Sequence, residues 1–316
     1  MNIVILDAHA ANPGDLSWSS LEPMGDVTVY PRTSPAEIVE RGQEAEVLLT
    51  NKVCLTAEIL EQLPKLKYIG VLATGINVID IPAAVARNIV VTNVPGYSTA
   101  SVAQLTISLI LDLACRVAEH SASVMNGDWI ASEDFSYTTS PIMELAGKRL
   151  GLVGYGATGQ GTAGIAAAMG MDVAACQRTK EKVIPPATYL PLDELLATSD
   201  IISLHCPLTQ STENLIREET LRLMKPTAWL INTARGPIVK EDDLAKALSE
   251  GWIAAAALDV LSSEPMRPNH PLLGLSNCLI TPHIAWATKE ARSRLLAKVT
   301  ENLVAWKKGT PQNRVA

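Results

Sequence analysis

Three glycines in the middle of the chain have the spacing of a loop that binds a phosphate group. The run Gly154-Tyr-Gly156-Ala-Thr-Gly159 follows an apolar segment and precedes the alanine-rich segment GTAGIAAAMG. In such a run the first glycine permits a tight turn, the second lets a pyrophosphate approach the backbone, and the third lets a helix pack closely on a strand. The N-terminus of the following helix adds N–H groups and partial positive charge. The spacing predicts a dinucleotide-binding loop; a structural glycine turn without a ligand is the alternative.

The residues after the next apolar run bear on which dinucleotide is bound. An NAD-binding site places an acidic residue there, on the ribose 2′-hydroxyl, whereas this chain has Gln177, Arg178 and Thr179, followed by Lys180 and Lys182. A carboxylate would repel a 2′-phosphate, but a guanidinium beside a hydroxyl and a neutral amide can bind one through charge-assisted hydrogen bonds. We therefore expect NADP(H) to be favoured over NAD(H). The alternative is that Arg178 is a solvated loop residue and that both cofactors bind.

Two series of short apolar runs predict the strands that position these residues. The first series lies between residues 2 and 93 and reads NIVIL, DVTVY, EVLLT, YIGVLA and IVVTN. The second begins at Arg149 and reads RLGLVGYG, DVAACQ, IISLHC, AWLINTA, AAALDV and NCLITPH. Helical stretches separate the runs in both series, which predicts an α/β protein with parallel sheets covered by helices on both faces. The second series is typical of a doubly wound dinucleotide-binding fold.

A long apolar segment separates the two series. From residue 99 to about residue 126 the pattern predicts one long, buried helix. A final helix is expected from about 289 to 308, and we expect it to return to the first domain. The predicted domains are therefore residues 1–98 plus 288–316, and residues 99–287, which form the dinucleotide-binding domain.

Composition and charge exclude several classes of protein. The 316 residues carry a formal net charge of −7, and no long basic run offers a contact surface for a nucleic acid backbone. Charges, Gly or Pro interrupt every apolar run before the ~18 residues that a membrane-spanning helix needs, and the N-terminus lacks the pattern of a secretory signal peptide. The five cysteines are scattered, which argues against disulfides and a thiolate metal site. We expect a soluble, cytoplasmic protein that binds no metal, nucleic acid or membrane.

Several segments are distinctive enough to compare with a known family. They are ATGINVID at 73–80, NVPGYSTASVAQLT at 93–106, ELAGKRLGLVGYGATGQG at 144–161, HCPLT at 205–209, NTARG at 232–236, ALDV at 257–260, Glu264-Pro265 and TPHIAWAT at 281–288. In this order they resemble the D-isomer-specific 2-hydroxyacid dehydrogenase family, and within it the glycerate dehydrogenase and hydroxypyruvate (glyoxylate) reductase branch. The resemblance covers nearly the whole chain. It implies a flavodoxin-like substrate domain and a Rossmann NAD(P)-binding domain, an active site in the cleft, and a homodimer.

The resemblance assigns catalysis to Arg235 in TARG, Glu264 in SSEP and His283 in TPHIAW. Reduction of a keto acid needs a hydride on carbon, a proton on the carbonyl oxygen and an anchor for the carboxylate. Arg235 offers a planar fork of donors for a carboxylate. His283 can exchange a proton near neutral pH, and Glu264 as its partner would stabilise the imidazolium. The alternatives are a structural ion pair, a packed core histidine and a surface glutamate.

Substrate contacts are expected in both domains. The resemblance implies that backbone N–H groups of the loop at 73–76 bind the substrate carboxylate, where a glycine permits close approach. Lys52 could face a second polar group, such as the hydroxymethyl of hydroxypyruvate, or be an exposed surface lysine. The expected substrate-binding residues are Lys52, Thr74, Gly75, Ile76, Arg235 and His283.

The expected cofactor contacts lie mainly at the ends of second-domain strands. Asp259 resembles the residue that receives the nicotinamide carboxamide, and His205 ends a strand where it could line the cofactor cleft. Gln104 stands where other branches of the family have a glutamate, which favours the glycerate-type assignment. The expected cofactor-binding residues are Gln104, Gly154, Gly156, Ala157, Thr158, Gly159, Gln177, Arg178, Thr179, His205, Cys206, Pro207, Thr212, Thr233, Ala234, Arg235, Asp259, His283 and Ala285.

The residues and the resemblance together predict an NAD(P)-dependent oxidoreductase. The expected reaction is reduction of hydroxypyruvate or glyoxylate to D-glycerate or glycolate by hydride transfer. Two alternatives stay open: a D-2-hydroxyacid dehydrogenase for a bulkier keto acid such as phenylpyruvate, and a dinucleotide-sensing, corepressor-like binding protein.

Overall fold

The computed structural model describes residues 1–316, and the chain divides into two compact units. Unit 1 comprises Met1–Ser98 and Trp286–Ala316, and unit 2 comprises Thr99–Ala285. Each unit is built on one parallel sheet, of five strands in unit 1 and seven in unit 2. The predicted fold class, two doubly wound parallel-sheet domains, is confirmed.

The sheet of unit 1 has the strand order β2-β1-β3-β4-β5. Its strands are β1 (Asn2–Ile5), β2 (Asp26–Val29), β3 (Val47–Thr50), β4 (Tyr68–Val71) and β5 (Val90–Thr92). The connecting α-helices are α1 (Ala8–Ala11), α2 (Ile38–Gly42), α3 (Ala57–Glu61) and α4 (Ile81–Ala86). Because side chains alternate across a strand, Ile3 and Ile5 pack into one core and Val4 into the core on the opposite face. The five apolar runs of the first series all form strands.

Unit 2 begins with three consecutive helices. They are α5 (Thr99–Cys115), α6 (Val117–Met125) and α7 (Asp128–Ala131). The expectation of one long, buried helix from 99 to about 126 is wrong: Arg116 adopts a left-handed conformation with φ of 48°, and the axes of α5 and α6 differ by 52°. Eight residues of α5 are buried, whereas only Ser123 is buried in α6. No single helix has the length and hydropathy of a membrane span; α5 and α6 reach them only as a bent pair.

The sheet of unit 2 has the strand order β12-β11-β10-β9-β6-β7-β8. Its strands and helices are β6 (Arg149–Val153), α8 (Ala157–Ala168), β7 (Asp172–Cys176), β8 (Thr188–Tyr189), α9 (Leu192–Thr198), β9 (Ile201–Leu204), α10 (Glu218–Leu221), β10 (Trp229–Asn232), α11 (Glu241–Ser249), β11 (Ala255–Leu258) and β12 (Cys278–Ile280). Six of these strands were predicted; the two-residue edge strand β8 was not. The order reverses between β6 and β9, which is where ligands bind in sheets of this type.

The last helix, α12 (Lys289–Lys307), belongs to unit 1. Thr288 caps its N-terminus by accepting a hydrogen bond from the Ala291 N–H. Its buried face packs on the side of the unit 1 sheet that contains Ile3 and Ile5. Arg292 anchors the first turn through a bidentate ion pair with Asp15. The first domain is therefore built from both ends of the chain.

Candidate active site

The three residues assigned to catalysis follow three neighbouring strands of unit 2. Arg235 follows β10, Glu264 follows β11 and His283 follows β12. These strands are parallel and adjacent in the sheet, so their carboxyl ends lie at one edge. In open α/β sheets this edge is where ligands bind.

Glu264 and His283 form a direct hydrogen-bonded pair. Nδ1 of His283 lies 2.6 Å from Oε2 of Glu264, and Oε1 of the same carboxylate accepts the Leu261 N–H at 3.1 Å. The two side chains are 24% and 33% exposed, so the pair is only partly screened by water. Because Nδ1 donates to the carboxylate, Nε2 is the ring atom that can give a proton to a substrate.

A buried carboxylate fixes the turn that carries His283. Asp259 is 1% exposed; its Oδ1 accepts hydrogen bonds from the Thr281 hydroxyl and the Ile284 N–H, and its Oδ2 accepts one from the Ala285 N–H. Desolvation raises the pKa of Asp259 above its usual range, and these three hydrogen bonds oppose that rise. His283 itself has a φ of 53°, in the left-handed region that non-glycine residues rarely adopt. Asp259 therefore helps to hold a strained turn at the site.

Arg235 has a guanidinium that forms no ion pair within the protein. It donates one hydrogen bond, at 2.6 Å, to the carbonyl of Ala234. The backbone around it is fixed, since the Asn232 side chain donates to the Arg235 carbonyl and accepts from the Ala234 N–H. A half-buried guanidinium on a rigid turn with no carboxylate partner is suited to bind an anionic ligand.

The glycine run of unit 2 has the geometry of a dinucleotide loop. Gly154 has a φ of 96°, and a Cβ there would lie 2.6 Å from the Cys206 backbone N. A Cβ at Gly159 would lie 2.5 Å from the Gly154 carbonyl oxygen, so this glycine allows α8 to pack on the turn. Gly156 has open space where its Cβ would be, and no side chain caps α8. The exposed backbone and unpaired N–H groups of the first turn fit a pyrophosphate.

The residues expected at the adenosine ribose follow β7. Gln177 is half-buried and donates to the Thr179 carbonyl at 3.2 Å, while Arg178 and Thr179 are exposed. The Arg178 side chain forms no ion pair within the protein. No acidic residue occupies this strand end, and the positive charge is available to a ligand.

Residues after β9 lie across the switch point from the glycine loop. His205 lies next to Gly159, where a Cβ would be 3.6 Å from the His205 Cβ, and its Nε2 is 2.9 Å from the Ser203 hydroxyl. Burial lowers the pKa of His205 to about 4, so its imidazole is neutral at physiological pH. Burial likewise raises the pKa of the Cys206 thiol to about 11, which keeps it protonated. The side chains of His205 and Cys206 beside the glycine loop are therefore uncharged.

The other expected cofactor residues of unit 2 make contacts within the protein. Thr212 bonds the Pro207 carbonyl at 2.6 Å, and the Thr233 hydroxyl lies 2.9 Å from that of Thr106. The Ala285 N–H donates to Asp259, and Gln104 is exposed on α5. Ala157 and Thr158 form the first turn of α8. Their assignment to the cofactor stays a prediction.

The substrate residues predicted in unit 1 follow β3 and β4. Lys52 is exposed, and its N–H donates to Asp7, a residue that the sequence analysis did not single out. The buried Asp7 carboxylate also accepts the N–H groups of Asn51 and Val53 and so fixes this loop. The sequence feature that could have identified Asp7 is its position just after the first buried strand. The roles of Lys52 and of the 74–76 loop in binding substrate stay predictions.

The loop after β4 is held by its own side chains. Thr74 donates its hydroxyl to the Val94 carbonyl at 2.8 Å, and Asn93 donates to the Thr74 carbonyl at 2.7 Å. Gly75 and Ile76 are half-buried, and the Ile76 carbonyl accepts the Ile79 N–H. The loop is therefore a defined structure rather than a loose connection.

Unit 2 contains a second histidine-glutamate pair. Nε2 of His270 is 3.1 Å from Oε2 of Glu241. Both side chains are largely buried, 5% exposed for the histidine and 14% for the glutamate. No local pattern in the sequence links His270 to Glu241, which is 29 positions away in the chain.

Comparison with known proteins places the chain among dehydrogenases and reductases. A model of the D-isomer specific 2-hydroxyacid dehydrogenase NAD-binding domain matches residues 107–285. The chain is 44% identical to the hydroxypyruvate reductase of Blautia hydrogenotrophica, over 100% of this chain and 99% of that protein. It is 43% identical to the glycerate dehydrogenase of Methylorubrum extorquens, over 89% of each chain. It is also similar to an NADPH-dependent glyoxylate/hydroxypyruvate reductase from Sinorhizobium meliloti, solved with NADP and malonate. The TM-score is 0.85 and the sequence identity is 28%, over 100% of this chain and 96% of the other.

Proposed function

Because the chain belongs to the D-isomer-specific 2-hydroxyacid dehydrogenase family, we propose that it reduces hydroxypyruvate and glyoxylate, to D-glycerate and glycolate, with a reduced nicotinamide dinucleotide. The observation that carries this proposal is the 2.6 Å bond between Glu264 and His283, at the same sheet edge as the unpaired guanidinium of Arg235. Relatives named hydroxypyruvate reductase, glycerate dehydrogenase and glyoxylate reductase support the substrate class.

Each residue has a distinct task in this reaction. Arg235 binds the keto acid carboxylate and polarises the adjacent carbonyl. His283 transfers the proton on Nε2 to the carbonyl oxygen, and Glu264 stabilises the imidazolium through Nδ1 before the transfer. The dinucleotide, when bound on the glycine loop, supplies the hydride. Lys52 and the backbone of the 74–76 loop add substrate contacts in this proposal.

We further propose that NADPH is the preferred hydride donor. The strand end after β7 carries Gln177, Arg178 and Thr179 and no carboxylate, so it would not repel a 2′-phosphate. Arg178 is exposed and forms no ion pair that would have to be broken. The Sinorhizobium meliloti reductase, to which the chain is similar, is described as NADPH-dependent.

A bulkier keto acid is the second candidate substrate, favoured by a cavity in unit 1. The cavity has a volume of about 490 Å³ and is lined by Asp7, Arg32 and Lys52, among others. This is in the range of small-molecule sites, which run from about 300 to 1,000 Å³, and exceeds the needs of glyoxylate alone. Lys52, one of the predicted substrate-binding residues, lines this cavity.

The resemblance to a dimeric family, together with one exposed surface, leads us to propose a homodimer. Six large apolar side chains between residues 117 and 142 are at least half exposed: Val117, Met125, Trp129, Ile130, Phe135 and Ile142. Ile130 is 91% exposed and Phe135 is 90% exposed. A concentration of this kind in one segment is unusual for a monomer and marks an interaction surface. A second copy of the chain is the occupant that we propose.

A spectrophotometric panel tests the proposal directly. Glyoxylate, hydroxypyruvate, pyruvate and phenylpyruvate are each mixed with NADPH and with NADH, and the absorbance at 340 nm is followed. We expect oxidation of the cofactor to be fastest with hydroxypyruvate or glyoxylate. Fastest turnover of phenylpyruvate would favour the second candidate, and no turnover with any substrate would refute the proposed activity.

A further inference from the structure

One peptide group in unit 2 contacts the elements that carry two of the proposed catalytic residues. It joins Leu261 to Ser262, just before Glu264. The N–H of Leu261, which is part of the preceding peptide group, donates to Oε1 of Glu264 at 3.1 Å. The Leu261–Ser262 peptide itself packs against Gly236, the neighbour of Arg235: a Cβ at Gly236 would lie 1.9 Å from the Leu261 carbonyl carbon. The turn of Arg235 and the loop of Glu264 are therefore in direct backbone contact.

A glutamate outside the catalytic set holds this peptide. Oε1 of Glu241, at the start of α11, accepts the Ser262 N–H at 2.6 Å. A hydrogen bond from a neutral donor to a charged acceptor is stronger than one between neutral groups. The position of Glu241 in the first turn of a helix also stabilises its negative charge. Glu241 is thus a strong anchor for the loop that carries Glu264.

A buried histidine orients this anchor. Oε2 of Glu241 is 3.1 Å from Nε2 of His270. Nδ1 of His270 accepts the Leu272 N–H at 3.3 Å, which leaves the ring proton on Nε2, where it points at the carboxylate. Both oxygens of Glu241 are therefore engaged, and the carboxylate cannot rotate without losing one of these bonds.

We propose that Glu241 and His270 are positioning residues for the proposed reaction: they hold the Leu261–Ser262 peptide, and through it they keep Glu264 in hydrogen-bonding register with His283. This inference rests on the proposed function. Neither residue bonds to His283 or Arg235. They act through the loop that carries Glu264. This loop needs anchoring because the segment between β11 and β12 contains no helix or strand of its own.

Such anchors are needed because the hydrogen bond between Glu264 and His283 is short. At 2.6 Å the Glu264–His283 contact is short, and a catalytic group must be held within about 0.5 Å of its productive geometry. A loop without secondary structure does not supply that precision alone. The hydrogen bond from the Ser262 N–H to Glu241 fixes the backbone two residues before Glu264.

The test compares Glu241→Ala and His270→Leu with Asp242→Ala. Asp242 is the exposed neighbour of Glu241 in the same helical turn, so its variant controls for loss of charge at the helix start. We expect the kcat for keto acid reduction to fall about 10- to 100-fold in the first two variants, as is typical when a supporting hydrogen bond is removed. The Kd for the dinucleotide, measured by fluorescence titration, should change less than twofold in all three.

Two further readouts separate positioning from a general structural role. The proton of a short N–H···O bond gives a strongly downfield signal in the proton NMR spectrum, and loss of this signal in His283→Gln assigns it to the Glu264–His283 pair. Glu241→Ala should weaken or abolish the signal, and Asp242→Ala should leave it unchanged. In a Glu264→Gln background, Glu241→Ala should change kcat less than twofold, because both substitutions act on the same contact. Glu241→Gln, which keeps one acceptor oxygen, should have an intermediate effect on kcat and serves if Glu241→Ala does not fold.

Specific results would overturn the inference. An unchanged resonance together with a kcat within twofold of wild type in the folded variants would show that the pair does not position Glu264. An undiminished loss in the Glu264→Gln background would show that Glu241 acts elsewhere. The resonance needs no turnover, so it tests the inference even if the wild-type chain reduces none of the keto acids. Failure of the proposed function would instead be seen in the wild type.

Discussion

Nδ1 of His283 and Oε2 of Glu264 lie 2.6 Å apart although the two residues are 19 positions apart in sequence. The contact exists because β11 and β12 are neighbours in a parallel sheet, so the loops that leave their carboxyl ends meet. A carboxylate on one ring nitrogen fixes the orientation of the imidazole and leaves the other nitrogen for the substrate. The chemistry proposed for this chain depends on that contact.

Glu264→Gln should lower kcat for keto acid reduction by about 100-fold, within the range that acid-base groups contribute. A neutral amide of the same size cannot stabilise the imidazolium of His283. Because the proposal assigns the substrate carboxylate to Arg235 and not to Glu264, the KM for hydroxypyruvate should change little. Steady-state kinetics would measure both values. Glu250→Gln is the control, because Glu250 is exposed at the C-terminal end of α11. A Glu264→Gln enzyme with wild-type kcat would show that the pair is structural.

Local patterns in the sequence predicted the features that depend on local structure. The apolar runs became strands because a strand buried on both faces needs apolar side chains throughout. The glycine run was recognisable because each glycine meets a steric demand within a few residues, as the contact between Gly159 and Gly154 shows. The break at Arg116 was missed because no glycine or proline marks it. The strand β8 was missed because two residues give no periodicity.

Long-range hydrogen bonds were beyond sequence reasoning. Glu241 reaches Ser262 and His270 across 21 and 29 positions, and Asp7 reaches Asn51 across 44. Residue types and spacing carry no information about such partners until the strand order is known. The resemblance named the residues proposed for catalysis, but the residues that hold them in place came from the structure.

Arg178→Ala should reduce kcat/KM for NADPH by about 10- to 100-fold, because a charge-assisted hydrogen bond contributes about 1.5–3 kcal/mol. The value for NADH, which lacks the 2′-phosphate, should change less than threefold. The control is Lys182→Ala, which removes a positive charge from the same segment. Initial rates with each cofactor at fixed hydroxypyruvate measure the ratio. Equal losses with both cofactors would refute a 2′-phosphate contact for Arg178.

Ile130→Asp combined with Phe135→Asp should convert the proposed dimer to a monomer. Both side chains are about nine-tenths exposed in the single chain, and burying a carboxylate in an apolar interface is strongly unfavourable. Sedimentation velocity should show wild type at twice the chain mass of 33.8 kDa and the double variant at that mass. Leu223→Asp, at a 41% exposed position outside this segment, should leave the dimer intact. A wild-type monomer would contradict the proposal outright.

The stability of the protein should fall between pH 6.5 and about pH 4 because of His205. Its pKa is 6.5 in the unfolded chain and about 4 in the folded protein, where burial disfavours the imidazolium. Between these values the unfolded chain binds a proton that the folded protein does not, so lowering the pH favours unfolding. At 1.36 kcal/mol for each pH unit, this one group should cost about 2 kcal/mol at pH 5.0 relative to pH 7.5.

Replacement of the imidazole isolates this contribution to the free energy of unfolding. His205→Gln keeps a hydrogen-bond donor near the Ser203 hydroxyl but does not titrate. Urea denaturation at pH 5.0 and 7.5 should therefore show a pH-dependent loss that is smaller in His205→Gln than in wild type by about 2 kcal/mol. His9→Gln, at an exposed position in unit 1, should retain the wild-type loss. If His205→Gln loses as much stability at pH 5.0 as wild type does, then burial does not lower the pKa of His205, and its imidazole is charged beside the glycine loop at pH 5.0.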